Sequence, residues 1–364
     1  MVQVLAAAGA ALGAFLLMVL LAKRPSHPAD KWLAAWLGAV AVFCAALLGA
    51  GALPPTLALP TLGVGQMAVL ALGPAQYLYA ATAFGRPPRY AVHLVVASAG
   101  AALMLAMPLL GEVRAAGGAI EVDASPWMIA LPPTVMAALA AYPAAVLRMT
   151  AERKRRLMDE VANLAAVDPG WVRLWSWTWL TVLASLALVF LTSAFGEWPR
   201  ELHMVVTLAV LVAHVGFVGQ RGLTRRGVFF APPAPAAPTA AGRERPTDLA
   251  GARQDYARVQ DLLQREKPHL DPDLTAQTLA DRLGWGGERL TGALRHGGAS
   301  TFFDTVNAAR VEEVQALARQ PANAGVTLLA LAYEAGFGSK SAFYEAFQRH
   351  AGCTPAAWRR RLSD

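Results

Sequence analysis

The residues best suited to metal or acid–base chemistry are a few histidines in the apolar first half of the chain. His203 and His214 lie on the same face of one predicted helix, eleven residues apart. At ~1.5 Å of rise per residue they are ~16 Å apart, too far to bind one metal ion. Cys44 and Cys353 show none of the paired Cys/His spacing that holds zinc. We therefore expect no metal and no other cofactor.

Few other polar side chains interrupt the apolar segments, and each has two interpretations. An interhelical hydrogen bond is the ordinary role of a polar group inside a membrane span, and contact with a small ligand is the alternative. The candidates for ligand contact are Gln76, Tyr77, His93 and His203. The segments lack the carboxylates of a proton relay or cation path, and the chain has no phosphate loop, nucleophile triad or kinase elements. This pattern argues against an enzyme and weighs against a pump.

The composition of the chain changes near Gln220. Hydrophobic residues make up 55% of the 364 residues, well above the average of a soluble protein. Residues 1–220 contain 13 Lys/Arg and 10 Asp/Glu, whereas the shorter remainder contains 19 and 15. We interpret the two parts as a membrane half and a soluble half.

Seven apolar segments have the ~20-residue length that crosses a bilayer. They are roughly Val2–Ala22, Trp32–Leu53, Leu57–Phe84, Ala91–Leu110, Trp127–Leu147, Val172–Phe195 and Leu202–Gln220. The first is longer than the apolar region of a signal peptide, and no basic residue precedes it. We therefore predict an all-α protein that begins with a seven-helix transmembrane bundle.

Basic residues are concentrated in the first, third and fifth loops and after the seventh span. The other loops contain only Arg114 and Arg200. Because basic loops lie on the cytoplasmic side, we predict that the N-terminus is outside and the C-terminus is cytoplasmic. Seven spans require the same opposite placement. The expected location is the inner membrane of a bacterium, with membrane lipid around the bundle.

Two features at the cytoplasmic side have alternative interpretations. Trp171, Trp175, Trp177 and Trp179 are best explained as an interfacial aromatic belt, the alternative being that they stack on a ligand. Arg153–Arg156, with the apolar Leu157, Val161 and Leu164, is consistent with a basic amphipathic helix on anionic lipid. A plain extension of the fifth span explains the same residues equally well.

A Pro/Ala-rich stretch, "APPAPAAPTAAGRERP" at 231–246, has little to bury and predicts a semi-rigid spacer. It sets the predicted boundaries: a membrane sensor domain over 1–222, a linker over 223–247 and a soluble domain over 248–364.

The soluble domain contains two similar helical patterns. In Leu274–His296, two short helices flank a turn at Gly284, and in Val326–His350 two more flank a turn at Gly336. Short helices joined by a glycine-containing turn are typical of a helix-turn-helix. Ser339 is in position to cap the last of these helices, and a long helix at about 302–319 separates the two patterns. The sequence therefore predicts a double helix-turn-helix.

Residues ~255–362 resemble the AraC-type DNA-binding domain. The resemblance rests on "LTAQTLADRLG", "FFDTVNAARVEEVQALA" and "LALAYEAGFGSKSAFYEAFQRHAGCTPAAWRRR". With seven spans before it, the chain looks like the membrane-bound regulators of that type, and "LAAVDPGWVRLW" is similar to their segment entering span six. The resemblance implies a transcription regulator whose second helix in each unit enters a major groove. It also implies promoter DNA as partner, a homodimer when active, RNA polymerase as a candidate partner and an unknown sensed ligand.

Carried over by position, the resemblance assigns DNA contact to two helices, 287–296 and 339–349. The residues are Arg289, Thr291 and Arg295 on the first and Lys340, Ser341, Tyr344, Glu345, Gln348 and Arg349 on the second, with Arg359 and Arg360 beyond it.

Three departures from the family pattern keep a second interpretation open. Residues 248–364 contain 14 Lys/Arg and 14 Asp/Glu, so bulk charge does not attract phosphate. The first reading helix has Gly286, Gly287 and Gly292 in or beside it, and Glu345 stands where a basic residue is common. The alternative is a seven-helix receptor or transporter with a cytoplasmic protein-interaction tail.

Overall fold

The computed structural model describes residues 1–23, 27–86, 90, 92–93, 95, 98, 112–116, 119–123, 126–164, 170–195, 200–224 and 249–363. The chain divides into two compact units. The first comprises Met1–Ala151 and Pro169–Phe229, and the second comprises Glu152–Asp168 and Phe230–Asp364. The predicted spacer at 231–246 lies outside the described residues. The grouping of 152–168 with the second unit differs from the predicted boundary, which placed these residues in the membrane domain.

The first unit is built mainly from long helices. They are α1 (Val2–Ala22), α2 (Asp30–Ala52), α3 (Pro55–Ala83), α4 (Pro126–Glu160), α5 (Gly170–Phe195) and α6 (Arg200–Thr224). The residues of α4 from Glu152 onward belong to the second unit. Among the described residues, three helices are long and apolar enough to cross a membrane: Val2–Ala22, Asp30–Ala52 and Met204–Thr224. The full set of seven spans stays a prediction, and most of the fourth segment lies outside the described residues.

The described residues are predominantly helical, as the all-α prediction requires, and one short two-stranded antiparallel sheet is added to them. Strands β1 (Glu112–Ala116) and β2 (Ala119–Asp123) pair with Val113 opposite Val122 and Arg114 opposite Glu121. A Gly-Gly dipeptide between two short segments with β-branched residues is a hairpin signal, and this hairpin was not among the predicted elements. Elsewhere in the described part of the chain the regular structure is helical, apart from one isolated bridge.

Small residues allow the helices of the first unit to approach closely. A Cβ atom on Gly9 of α1 would lie 2.7 Å from the Sγ of Cys44 on α2. One on Gly13 would lie 3.3 Å from the carbonyl oxygen of Leu37. Helix α1 packs on α2 and on α6, α2 packs on α3, and α5 packs on α6. Such small-residue contacts are typical of helices that associate within lipid, where packing replaces the hydrophobic effect.

The second unit consists of shorter helices. They are α7 (Leu249–Glu266), α8 (Ala276–Leu283), α9 (Gly287–Gly292), α10 (Phe302–Ala318), α11 (Leu328–Glu334), α12 (Lys340–Ala351) and α13 (Pro355–Ser363). A 3-10 turn (Pro268–Leu270) follows α7, a π-helical turn (Ala293–Gly297) follows α9, and a second 3-10 turn (Pro321–Asn323) precedes α11. The pairs α8/α9 and α11/α12 are the two helix-turn-helix units predicted from the sequence.

Each helix-turn-helix unit has its own apolar core, and α10 contributes to both. Phe302 and Val306, at the start of α10, pack with the first unit, which includes Leu279 and Leu290. Val311 and Val314, one to two turns later, pack with Leu331, Phe343 and Phe347 of the second unit. Consecutive turns of one helix thus serve the two cores, which explains why a single long helix separates the two patterns.

A buried arginine stabilises the region between the two helix-turn-helix units. Arg310 is 1% exposed, and burial lowers the pKa of its guanidinium to about 10. Its Nε donates to the carbonyl oxygen of His269 at 2.7 Å, and its Nη2 donates to that of Asp271 at 2.7 Å. Backbone carbonyls thus solvate a charge that would be costly to bury unpaired.

Candidate nucleic-acid interface

The turn of the second unit is fixed by glycine and by a cap. Gly336 has φ +90°, and a Cβ there would clash with the carbonyl oxygens of His269 and Leu270. Ser339 caps α12, as predicted, because its Oγ accepts a hydrogen bond from the backbone nitrogen of Ala342 at 3.2 Å. The cap and turn together fix where α12 begins and how it is oriented.

The exposed face of α12 carries the residues predicted to contact DNA. Phe343 and Phe347 are fully buried on the opposite face, which turns the polar positions outward. Lys340, Ser341, Tyr344, Glu345, Gln348 and Arg349 are all exposed. The Lys340 Nζ lies 5.5 Å from the centre of the Tyr344 ring. A rigid helix with donors and acceptors along one solvent-facing stripe can read base edges in a major groove.

An ion-pair network lies at the C-terminal end of this face. Arg349 donates to the Asp304 carboxylate at 2.7 Å and to Glu345 at 3.0 Å. The Glu345 carboxylate, which stands where the family often has a basic residue, therefore has a cationic partner one turn away. The pair reduces the repulsion that a lone carboxylate would exert on phosphate.

The first unit presents a shorter reading helix. Helix α9 ends at Gly292, and the chain continues as a π-helical turn through Arg295 to Gly297. The predicted single helix over 287–296 is thus two short pieces. Gly286, at the N-cap position, provides no side-chain cap. Gly292 stands where α9 ends, so the glycines coincide with the break in the helix.

Arg289, predicted to contact DNA, forms contacts inside the first helix-turn-helix unit. Its Nε and Nη2 each lie 2.8 Å from a different carboxylate oxygen of Asp255. The guanidinium carbon also lies 4.6 Å from the centre of the Trp285 ring. A bidentate, stacked arginine of this kind fastens α9 to α7. Any contact with phosphate would compete with this arrangement.

A comparison with known protein families gives the same picture of this region. A family model described as a helix-turn-helix domain matches residues 279–361, a stretch that contains both glycine turns and α12. The C-terminal part of the chain is an AraC-type helix-turn-helix domain. No curated protein and no solved structure matches the chain. Such a domain binds double-stranded DNA.

The remaining predicted residues of the AraC-type domain differ in their availability. Arg295 is exposed but forms an ion pair with Asp159, and the Thr291 hydroxyl donates to the carbonyl oxygen of Gly287 at 2.9 Å. Arg359 donates through Nη2 to the carbonyl oxygens of Asn323 and Ala324, at 3.2 and 2.7 Å. Arg360 is exposed. Arg359 thus secures the turn before α11, and Arg360 is the more accessible cation of the two.

The predicted ligand residues of the membrane unit, which comprises Met1–Ala151 and Pro169–Phe229, lie at two separate places. Gln76 is buried, and its Nε2 donates to the Ser176 hydroxyl at 3.2 Å. Tyr77 and His93 lie together, with ring centres 4.7 Å apart, and His93 Nδ1 lies 3.4 Å from the hydroxyl oxygen of Tyr142. Tyr142 was not among the predicted ligand residues. The side chain of His203 lies outside the described residues.

The tryptophans of α5 do not form the predicted aromatic belt. Trp171, Trp175 and Trp179 are each at most 4% exposed, and Trp177 alone faces outward at 57%. Their spacing of four residues places the three on one helix face, a signal that the sequence analysis did not use. Trp175 and Trp179 pack against Trp36, at centre distances of 5.5 and 6.3 Å.

His214 is part of the same aromatic cluster. Its ring stacks on Trp179 at 5.7 Å and meets Trp36 edge-on at 5.4 Å. Neither ring nitrogen has a hydrogen-bond partner in the described part of the chain. The cluster of Trp36, Trp175, Trp179 and His214 thus places a histidine inside an aromatic core of the membrane unit. The sequence did not predict that these four residues come together.

Proposed function

We propose that the chain is a membrane-tethered transcription regulator of the one-component type. In this proposal the apolar helices receive a signal at the bacterial inner membrane, and the cytoplasmic AraC-type domain acts on promoter DNA. The observation that carries it is the capped helix α12 with its exposed polar face, in the same chain as three helices able to cross a membrane.

The proposed reading residues are Lys340, Ser341, Tyr344 and Gln348 on α12. Arg295, Thr291, Arg349 and Arg360 are assigned to phosphate or secondary contacts. The sensed ligand would enter the membrane unit near Tyr77 and His93, or near Gln76. Lipid surrounds the spans, an active homodimer doubles the number of base contacts, and RNA polymerase is the proposed downstream partner.

Membrane topology is the first test of the proposal. Alkaline phosphatase, which is active only outside the cytoplasm, should be active when fused after Pro126 and inactive when fused after Gly227. The reverse pattern would place the AraC-type domain outside the cell, where it has no promoter to bind.

DNA binding by the full chain is the second test. The chain, reconstituted in lipid nanodiscs, should enrich particular duplexes from a random-sequence pool and bind them with an affinity that falls as salt rises. Appending a dimerising coiled coil to the C-terminal domain should tighten binding. Failure to enrich any duplex would reject the proposal.

One alternative has specific support. Residues 248–364 have no net charge, and Arg289 and Arg359 are engaged inside the domain. Both facts would suit a membrane receptor or transporter whose tail binds another protein. Enrichment of DNA sequences in the pool experiment decides between the two functions.

A further inference from the structure

The segment Glu152–Leu164, at the C-terminal end of α4, belongs to the AraC-type unit and not to the membrane unit. It comprises the last residues of α4 and the four residues that follow. In the sequence this segment lies some hundred residues before the helix-turn-helix domain, and it had two open interpretations, a lipid-binding helix or a plain extension of the fifth span. Its contacts indicate a third role.

One ion pair connects the segment to the π-helical turn that follows the first reading helix. The Asp159 carboxylate forms an ion pair with Arg295, one of the residues assigned to phosphate contact. A carboxylate and a phosphate offer an arginine the same oxygen acceptors. Asp159 therefore occupies the position that a DNA phosphate oxygen would take at Arg295.

The same segment also faces the second reading helix. A cavity of about 180 Å³ is lined by Lys154, Met158 and Leu164 on one side and by Ser341, Glu345 and Arg349 on the other. These last three residues follow one another at intervals of four along α12, so they form one stripe of its exposed face. The segment thus adjoins both helices that are proposed to enter the major groove.

A buried anchor holds the segment in this place. Ala162 is 2% exposed and packs within the apolar core of the first helix-turn-helix unit. Its carbonyl oxygen accepts hydrogen bonds from Asn307 and Arg310, at 3.3 and 3.4 Å. Val161 pairs with Thr275 in an isolated antiparallel bridge.

The anchor is weaker than the bonds that hold the domain itself together. The hydrogen bonds of Ala162 to Leu274, Asn307 and Arg310 measure 3.3 to 3.4 Å. Those of Arg310 to the carbonyls of His269 and Asp271 are 2.7 Å. Longer hydrogen bonds are weaker, and Asp159–Arg295 is a partly exposed pair of small net worth. The segment can therefore leave while the domain keeps its own bonds, and the main cost of its departure is the exposure of Ala162.

We propose that residues 152–164 are an autoinhibitory strap, which lies beside α12 and pairs with Arg295 in the resting state and must leave before DNA binds along the reading face. The proposal rests on the proposed function, since it regulates that same site. Because the strap continues α4, a change in the membrane unit that moves this helix would alter the fraction of molecules whose reading face is free to bind DNA. The apparent affinity for DNA would follow that fraction.

A reversible disulfide tests the proposal within one sample. Val161→Cys plus Thr275→Cys, in a Cys353→Ser background, places the two thiols opposite each other in the antiparallel bridge. Facing Cβ atoms in such a pair are ~4.5–5.5 Å apart, close to the ~3.5–4.5 Å of a disulfide. The full chain in nanodiscs should bind duplexes selected from a random pool at least about tenfold more weakly when oxidised than when reduced. Equal affinity in the two redox states would overturn the strap.

A matched pair of single substitutions tests the opposite direction. Asp159→Asn breaks the pair with Arg295, whereas Asp261→Asn breaks the exposed 2.7 Å pair with Arg265 on α7. Both substitutions remove one negative charge, so their bulk effects on DNA attraction are matched. Only Asp159→Asn should tighten binding further, by up to about fivefold relative to the control.

The remaining outcomes are distinguishable. Equal gains in Asp159→Asn and Asp261→Asn would reject the strap while leaving DNA binding intact. Weaker binding by Asp159→Asn would reject it too, and would show that the segment, with its basic Arg153–Arg156, assists DNA binding. If no redox state and no variant bound any duplex, the proposed function itself would fail, and the strap with it.

Discussion

The two helix-turn-helix units share one plan and differ in how firmly their reading helices are held. Helix α12 has twelve residues, a side-chain cap and two buried phenylalanines on its inner face. Helix α9 has six residues, no side-chain cap and a π-helical continuation. Fixing side chains in space costs conformational entropy. In α12 the cap and the buried phenylalanines already fix the helix, so DNA binding does not have to order it. The comparison supports our proposal that the second helix-turn-helix unit is the chief reader of bases. In the first helix-turn-helix unit, Arg289 fastens the helix to Asp255 and Arg295 pairs with Asp159.

The turn glycines give the largest expected difference between the units. Gly284 has φ +68° with open space around its Cα, whereas at Gly336, φ +90°, a Cβ would lie 2.7 Å from the Leu270 carbonyl oxygen and closer still to that of His269. Gly284→Ala should cost about 1–2 kcal/mol, the penalty of the left-handed conformation alone. Gly336→Ala should cost about 3 kcal/mol or more, since the clash with backbone is added.

Hydrogen exchange in the full chain measures both costs, through the protection of peptides from α8 and α11. Each substitution should lower protection first in its own unit. Equal losses for the two glycines would mean that the backbone near His269 yields easily, and that the second turn is no more constrained than the first.

Sequence reasoning succeeded where the determinants are local. The turn at Gly336, the cap at Ser339 and the inward Phe343 and Phe347 all follow from spacing within one turn or one helix, and the structure confirms them. The hairpin β1–β2 was not predicted although its signal is also local, because its strands of five residues are far shorter than the apolar segments around them.

The pairings that decide which residues are free could not be predicted. Arg289 meets Asp255, and Arg295 meets Asp159, across 34 and 136 positions of the chain. Such contacts depend on how helices pack in space, for which one sequence contains no periodic signal. The DNA-contact residues were therefore placed by family position, and the structure shows that several of them have partners inside the domain.

Base discrimination gives the next largest effect. Lys340→Ala plus Ser341→Ala should reduce discrimination between a selected operator and random DNA, since a lost base contact is worth ~1–3 kcal/mol. Arg295→Ala should instead weaken binding to all sequences and reduce the salt slope by about one. Both are best made in the Asp159→Asn background, where the ion pair with the strap is already broken. Arg289→Ala is a poor substitute for Arg295→Ala, because it would leave the buried Asp255 without its bidentate partner.

Competition titrations at two salt concentrations measure both quantities. Should Arg295 control discrimination and the Lys340/Ser341 pair control only overall affinity, the first unit would be the reader and the ranking of the two helices would reverse.

Helix capping gives a smaller, matched difference. Ser339→Ala removes the hydrogen bond to the Ala342 nitrogen and should destabilise α12 by about 1 kcal/mol. Gly286→Ser supplies α9 with the hydroxyl that it lacks and should stabilise it by a few tenths of a kcal/mol. Exchange protection of the two helices measures both changes. An unchanged α9 would indicate that its end at Gly292, and not its uncapped start, limits the first reading helix.

The smallest expected effect is a pH dependence of stability at His269, which lies between the two helix-turn-helix units. His269 is 3% exposed in the 3-10 turn after α7, and burial lowers its pKa, although Glu313 partly opposes the shift. Arg310 and Lys267 act in the same direction as burial. The unfolded chain, with a histidine pKa of about 6.5, then binds the proton at higher pH than the folded domain does. Stability should therefore be constant above that value, fall as pH drops through it, and level off below the lowered folded pKa.

His269→Gln should remove the His269 contribution to this pH dependence, whatever its effect on the level of stability, and leave that of His350, whose pKa burial also lowers. The His269 carbonyl accepts a hydrogen bond from Arg310 and also lies against Gly336. Protonation of the His269 ring therefore destabilises a turn that both helix-turn-helix units contact. Exchange protection in α8 and α11 should consequently fall together as the pH is lowered from neutrality, and should fall less in the variant. If acid loosened only α8, the 3-10 turn would belong to the first unit alone, and the two units would open independently despite sharing α10.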